Sequence, residues 1–156
     1  MQARGEFCQC IRCREARNKE FQISNIKFQV KKYQASDGTE YFLSYESKDK
    51  KTLYAFLRLR ISNNPNSELI KELPDLDNAA IIRELHTYGT LIPLLGKLKD
   101  VQHAGLGKKL INQAEKIAQQ NKINKIAVIS GIGVRQYYQK LGYELENTYM
   151  VKNLTK

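Results

Sequence analysis

The stretch Gln102-His103-Ala104-Gly105-Leu106-Gly107-Lys108-Lys109-Leu110-Ile111 decides the architecture. It opens the clearest helix of the chain, predicted over Gly105 to Asn121. Leu106, Leu110, Ile111, Ala114, Ile117 and Ala118 make one apolar stripe at helical spacing. Glycines before such a helix let a backbone approach an anion closely. The free N–H groups of the first turn then point at that anion, and Lys108 and Lys109 add charge beside it. The spacing is neither a Walker loop nor a dinucleotide fingerprint. A helix start that merely needs a tight turn explains two glycines equally well.

Downstream, Lys125 to Ser130 is a short apolar run without alternation, the mark of a strand buried on both faces. Gly131-Ile132-Gly133 reads as a turn and Val134 to Leu141 as a short helix. Gly142 stands where a C-terminal glycine cap belongs. Tyr143 to Lys152 is the last strand region. Upstream, Ile26, Phe28 and Val30 alternate with Lys27, Gln29 and Lys31, the period of a half-buried strand. Ser36-Asp37-Gly38 is a turn, Tyr41 to Glu46 a second strand, and Thr52 to Ile61 a third. Leu69 to Asp77 is ambiguous. Ala80 to Tyr88 is a fourth strand, with Ile82, Glu84, His86 and Tyr88 expected on one face and Arg83, Leu85 and Thr87 on the other. Thr90 to Leu94 is a candidate further strand. An antiparallel meander followed by strand–helix–strand implies an α/β fold, with a mixed, mostly antiparallel sheet flanked by helices.

The chain has 156 residues, 42% hydrophobic and 27% charged, which suits a folded soluble protein. No apolar run approaches the roughly 20 residues of a membrane helix, and the N-terminus lacks a secretory pattern. Lys and Arg total 26 against 16 Asp and Glu, a net charge of +10 that favours a polyanionic partner. Cys8, Cys10 and Cys13 are the only cysteines. Three thiolates this close suit a soft metal, zinc first, but supply three of the four ligands of a tetrahedral site. Three reduced thiols in a basic arm are the alternative.

Gln102, Gly105 and Gly107, set before a helix, after a meander and before a buried strand, resemble the pyrophosphate-binding signature of the GNAT acetyltransferase superfamily. Further segments narrow the likeness: Cys10-Ile11-Arg12-Cys13-Arg14-Glu15, Leu57-Arg58-Leu59-Arg60, Arg83-Glu84-Leu85-His86-Thr87-Tyr88-Gly89, Gln102-His103, Ile126-Ala127-Val128-Ile129-Ser130-Gly131 and Tyr137-Tyr138-Gln139-Lys140-Leu141-Gly142-Tyr143-Glu144-Leu145. Together they are similar to the C-terminal acetyltransferase half of the Elongator catalytic-subunit family, which modifies the wobble uridine of tRNA. The likeness runs from about Cys8 to Lys152. It implies the GNAT fold for residues 21–156, preceded by a basic cysteine-rich arm, residues 1–20, matching a junction zinc motif. It implies that Gln102, His103, Gly105, Leu106, Gly107, Lys108, Tyr137 and Tyr138 bind acetyl-CoA. It casts Tyr137 and Tyr138 as catalytic, a phenol giving a proton to the departing thiolate. Glu84 and His86 would face the acceptor as base or positioning groups. Cys8, Cys10 and Cys13 would hold the metal.

The family's radical SAM half has no counterpart in this stretch, so neither an iron–sulfur cluster nor SAM is expected here. The implied partners are acetyl-CoA, the anticodon stem-loop of tRNA, and a radical SAM half or other Elongator subunits. No membrane partner is expected, and the setting is cytoplasmic. A protein lysine acetyltransferase, with Glu84 as base, and a non-catalytic RNA-binding module remain open. Val134, Tyr137, Tyr138 and Leu141 also read as a core stripe, so at least one tyrosine is expected to do no more than pack. Arg58 and Arg60 either contact substrate or cover the sheet.

Overall fold

A computed structural model of the chain describes residues 7–17, 23–63, 73, 76–88 and 105–155. Seven strands make one sheet in the order β1-β2-β3-β4-β5-β7-β6. They are β1 (Ile26–Gln34), β2 (Gly38–Ser47), β3 (Leu53–Ser62), β4 (Ala79–Thr87), β5 (Lys125–Ile129), β6 (Glu144–Glu146) and β7 (Tyr149–Asn153). The helices are α1 (Ile11–Arg14), α2 (Leu106–Gln120) and α3 (Arg135–Gln139), the last preceded by a 3-10 turn, Ile132–Val134. Among these strands only β4 and β5 run parallel, since a helical crossover joins them; every other pair is antiparallel. Among the described residues no helix is long and apolar enough to cross a membrane.

Local chemistry explains the elements. Ser36 and Asp37 both take positive φ (43° and 55°), and Ala35 and Gly38 exchange backbone hydrogen bonds. That is the left-handed two-residue turn matching strand twist. The apolar stripe of α2 buries Leu110, Ile111, Ala114 and Ala118 completely against Ala55, Leu57, Leu59 and Ile82. β5 is buried on both faces as expected, with Ile126 in the main core and Ala127 in a smaller cluster with Leu76 and Val151. Gly142 has φ +84°, its N–H donates to the Gln139 carbonyl, and the Tyr143 N–H donates to that of Tyr138. This is the glycine-terminated helix end foreseen from the sequence.

Three expectations are corrected. The last helix occupies Arg135–Gln139 rather than Val134 to Leu141, and Val134 is half exposed, so the four-residue stripe is split. The last strand region is a hairpin, with Asn147 at φ 49° turning the chain between β6 and β7. Most important, the β3–β4 register slips between Arg58 and Leu59: Arg58 faces Glu84 but Leu59 faces Ile82. The extra residue, Arg83, is a bulge that reverses the alternation beyond it. Ile82 therefore shares a face with Leu85 and Thr87, while Glu84 and His86 share the opposite face with Ile81. The arm itself touches the sheet. Arg14 is buried and bonded to Glu46 (2.8 Å), Ala16 is in the main core, and the Ala16 N–H donates to the Leu53 carbonyl. The basic run of the arm thus loses one cation to the interior. Leu69 to Glu72, Pro74, Asp75, Thr90 to Leu94, Gln102 and His103 lie outside the described residues.

Candidate functional site

α2 starts on Gly105 in the left-handed conformation (φ 66°), with no side-chain cap and no acidic residue in its first turn. The first intrahelical bond there is Lys109 N–H to the Gly105 carbonyl, at 3.0 Å. The amides of Leu106, Gly107 and Lys108 therefore have no acceptor within the helix and carry the positive end of its dipole. Lys108 and Lys109 are exposed beside them. Among the described residues, a Cβ on Gly105 would meet nothing within 4 Å, so none of them covers this turn. Uncapped amides and two lysines fit a pyrophosphate.

Tyr137 closes on the same turn. A Cβ on Gly107 would stand 2.9 Å from the Tyr137 hydroxyl and 3.5 Å from Cγ2 of Thr87. The phenol, a glycine of α2 and the end of β4 thus come together from three elements. Thr87 is a neighbour that sequence reasoning missed, because the bulge at Arg83 is what turns it towards α2. Tyr137 is 40% exposed and Tyr138 only 5%. Their rings meet edge to face at 5.3 Å, and Tyr138 meets Tyr143 likewise at 5.7 Å. Burial raises the pKa of both phenols, that of Tyr138 to about 12, with the neighbouring Tyr137 adding to it. At neutral pH Tyr137 is a proton-bearing donor at the rim, and Tyr138 is the ring it rests on. The Tyr143 hydroxyl donates to Glu115 (3.0 Å), which also receives Lys152 (3.0 Å). That network ties α2, the end of α3 and β7 together behind the tyrosines.

β4 and β5 are paired only from Ala79/Lys125 to Ile82/Val128. β4 continues to Thr87 and β5 ends at Ile129, so the strands part where the bulge lies. Ile129 (60%), the last residue of β5, and Ile132 (81%), in the turn after it, are exposed. Glu84 and His86 stand on the face away from α2. Glu84 Oε2 is 3.7 Å from Arg58 Nη1, and Oε1 is 3.5 Å from His86 Nε2. Arg60 is spent differently: it pairs with buried Glu40 (3.2 Å), which also takes Arg83 (2.8 Å), and it bonds the carbonyls of Ala35 and Ser36. The residues around the first turn of α2 and the Glu84–His86 pair are therefore on opposite faces of the sheet.

The Sγ atoms of Cys8, Cys10 and Cys13 lie within 4.8 Å of one another, and all three residues are exposed. Thiolates on one zinc stand about 3.8 Å apart, given Zn–S bonds near 2.3 Å, so a small contraction would make the set tridentate. The Cys13 N–H donates to Cys10 Sγ (3.4 Å), which lowers the Cys10 pKa. The Cys13 thiol, hydrogen-bonded to Cys10, is raised to about 11. Among the described residues no fourth ligand joins them.

The sequence pattern of the acetyltransferase (GNAT) domain matches residues 77–154. The chain is 45% identical to the tRNA uridine(34) acetyltransferase of Methanocaldococcus jannaschii, over 99% of this chain and 29% of that protein. It is 41% identical to human Elongator complex protein 3, over 92% of this chain and 28% of that one. The chain thus spans about three-tenths of these relatives. Among solved structures, the archaeal Methanocaldococcus infernus Elp3 superposes with a TM-score of 0.74 at 41% identity, over 94% of this chain and 35% of that one. A GNAT-family acetyltransferase of Staphylococcus aureus, with a TM-score of 0.50 at 14% identity over 74% of this chain and 68% of that one, shares the fold alone.

Proposed function

The chain belongs to the GNAT acetyltransferase family, and from that premise we propose that it binds acetyl-CoA at the start of α2 and transfers the acetyl group to water or to a tRNA hydroxyl. The observation carrying this reading is the Tyr137 hydroxyl poised over Gly107, in the uncapped first turn beside the gap between β4 and β5. The amides of Leu106, Gly107 and Lys108 and the Lys108 ammonium would hold the pyrophosphate, with Gln102 and His103 leading into the same turn. Acetyl-CoA supplies an activated thioester. In the transfer, the acyl C–S bond breaks and the carbonyl carbon bonds to the acceptor oxygen. The sulfur takes the Tyr137 proton, and the acceptor's proton leaves to Glu84, which His86 and Arg58 orient. Burial keeps the Tyr137 phenol protonated until the thiolate forms. Tyr138 supports that ring.

The likeness to proteins named for tRNA uridine(34) and Elongator, with a net charge of +10, favours tRNA over a lysine-bearing peptide as acceptor. By the resemblance stated above, attaching the acetyl-derived carbon to C5 of uridine would fall to a radical SAM half, which would be the partner of this domain. Zinc on Cys8, Cys10 and Cys13 would brace the arm where it meets that half. The test is CoA thiol release from acetyl-CoA, with and without tRNA. Release that rises with tRNA and collapses in Tyr137→Phe, but much less in Tyr138→Phe, supports the reading. Equal release in wild type and Tyr137→Phe overturns the role of Tyr137. Binding without release on any acceptor leaves the non-catalytic RNA module, and acetylation of a lysine peptide instead of RNA-stimulated release makes it a protein acetyltransferase.

A further inference from the structure

The sheet ends on two unequal strands. β6 is three residues long and carries Glu144 and Glu146. β1 runs for nine residues and, among the described residues, pairs with β2 alone, in one unbroken register. The bonds at its two ends fix which way its backbone points. Ala35 and Gly38 exchange hydrogen bonds, and the Lys48 N–H donates to the Asn25 carbonyl, so the odd-numbered residues of β1 bond to β2. Ile26, Phe28, Val30, Lys32 and Gln34 therefore aim N–H and C=O outward, and among the described residues no backbone group takes them. Val30 to Gln34 are all exposed, Val30 at 44% and Tyr33 at 43%. Folded proteins blunt such an edge with proline, a bulge or charge. β1 has the charge alone: Lys27, Lys31 and Lys32, with no acid. The two acids of neighbouring β2 are spent inward, buried Glu40 on Arg60 and Arg83 and buried Glu46 on Arg14. The field along this edge is positive.

We propose that the outer edge of β1 receives an acidic, extended segment of a partner protein as an eighth strand. The outward amides and carbonyls form a ladder that another peptide backbone completes. Side chains supply the choice of sequence. Lys27 and Lys31 stand on the face away from α2, as their register with Glu46 and Phe42 requires, so carboxylates on that side of the guest meet them. On the α2 side Phe28 packs on Tyr45 at 5.2 Å and Val30 follows it, so the alternate residues of the guest are apolar. Lys32, 5.5 Å over the Tyr41 ring, ends that side with a third cation. The partner segment thus alternates Asp or Glu with Val, Ile or Leu. The same lysines guard the edge against a second copy of this chain, since pairing two β1 strands gathers six lysines and no acid. A nucleic acid would use the lysines but leave the ladder unfilled. The inference stands apart from the acetyl-transfer reading, which uses no residue of β1.

The experiment uses the full 156-residue chain and a fluorescein-labelled peptide that alternates glutamate and valine over the length of β1. Anisotropy reports binding, and amide hydrogen exchange of the protein reports the ladder. The peptide should bind and slow exchange at Phe28, Val30 and Lys32, while Gln29 and Lys31, already bonded to β2, change little. That alternation is the signature of strand addition. The same peptide N-methylated at every amide keeps its side chains, loses its donors and should not bind. Lys27→Gln with Lys31→Gln should weaken binding roughly 2- to 30-fold, the span of two cross-strand charge pairs. Uniform or absent protection along β1 with the peptide bound overturns the inference, as does undiminished binding of the N-methylated peptide. Absence of binding at millimolar peptide overturns it as well. Protection of the same three amides that grows with protein concentration alone assigns the edge to a second copy. Protection by an anticodon-type RNA stem–loop but not by the peptide assigns the lysines to RNA. Either result also overturns the inference.

Discussion

Replacing Gly107 with alanine should separate stability from chemistry in one atom. The new Cβ would lie 2.9 Å from the Tyr137 hydroxyl and 3.5 Å from Thr87 Cγ2. Thr87 needs no adjustment, so the strain falls on Tyr137. Restoring ordinary contact takes the hydroxyl about 0.5 Å away, a small swing for a ring that is 40% exposed. Alanine also favours a helix over glycine by up to about 1 kcal/mol, and less in a first turn. The two effects nearly cancel, so the melting temperature should stay within about 3 °C of wild type. Function should not stay. A misplacement of about 1 Å can cost a factor near one hundred, so about half that should slow thiol release roughly tenfold. The added methyl also covers the amides of the first turn, so acetyl-CoA should bind less tightly. Calorimetric melting, titration with acetyl-CoA and a thiol-release assay read the three quantities. Unchanged release and affinity in a folded variant would refute the placement of the acetyl-CoA site. A large loss of stability would refute the claim that Tyr137 can yield.

The paired tyrosines should differ in kind. Tyr138→Ala should cost about 3–5 kcal/mol in urea unfolding, because its ring is 5% exposed and packs between Tyr137 and Tyr143, whereas Tyr137→Ala should cost far less and remove activity. Arg14→Ala should cost about 3–5 kcal/mol, since it strands the Glu46 carboxylate, whose side chain is 3% exposed. Replacing both partners by methionine and leucine should cost less than either single change. Stability should also fall at alkaline pH. Burial holds Tyr138 and Tyr88 at about 12, above the ordinary value of 10. Their neutral forms are favoured by folding, so this contribution is complete below about pH 10 and lost as pH rises through about 12. Phenolate absorbance followed alongside unfolding checks the window. Loss of stability confined to pH below about 9 would contradict it.

Periodicity carried much of the architecture. The alternation at Ile26, Phe28 and Val30, the stripe from Leu106 to Ala118 and the unbroken apolar run Ile126-Ala127-Val128 each follow from one face, one stripe or two faces meeting the core. Turn chemistry did the same at Ser36-Asp37 and Gly142, where backbone conformation alone selects the residue. Asn147 was less legible, because a left-handed asparagine between Glu146 and Thr148 looks no different from an asparagine in a strand. The bulge at Arg83 had no signal in the sequence. It arises where β4 must follow β3 while parting from β5, and no local preference of Arg83-Glu84 encodes that.

What depended on residue type and spacing could be read directly: the helix after Gly105, the three close thiols, the excess of positive charge and the candidate residues themselves. These are properties of short segments, set by backbone freedom, side-chain chemistry and period. What depended on distance between segments was decided by the tertiary structure. Tyr137 and Tyr138 are neighbours in sequence, and neighbours on a helix point about 100° apart, so one phenol turns to Gly107 and the other into the core. Glu84 and His86 were foreseen as a pair, but their face and their separation from the α2 side follow from one extra residue in β4. A single-residue slip reverses every side chain beyond it, and only the completed sheet records where that slip falls.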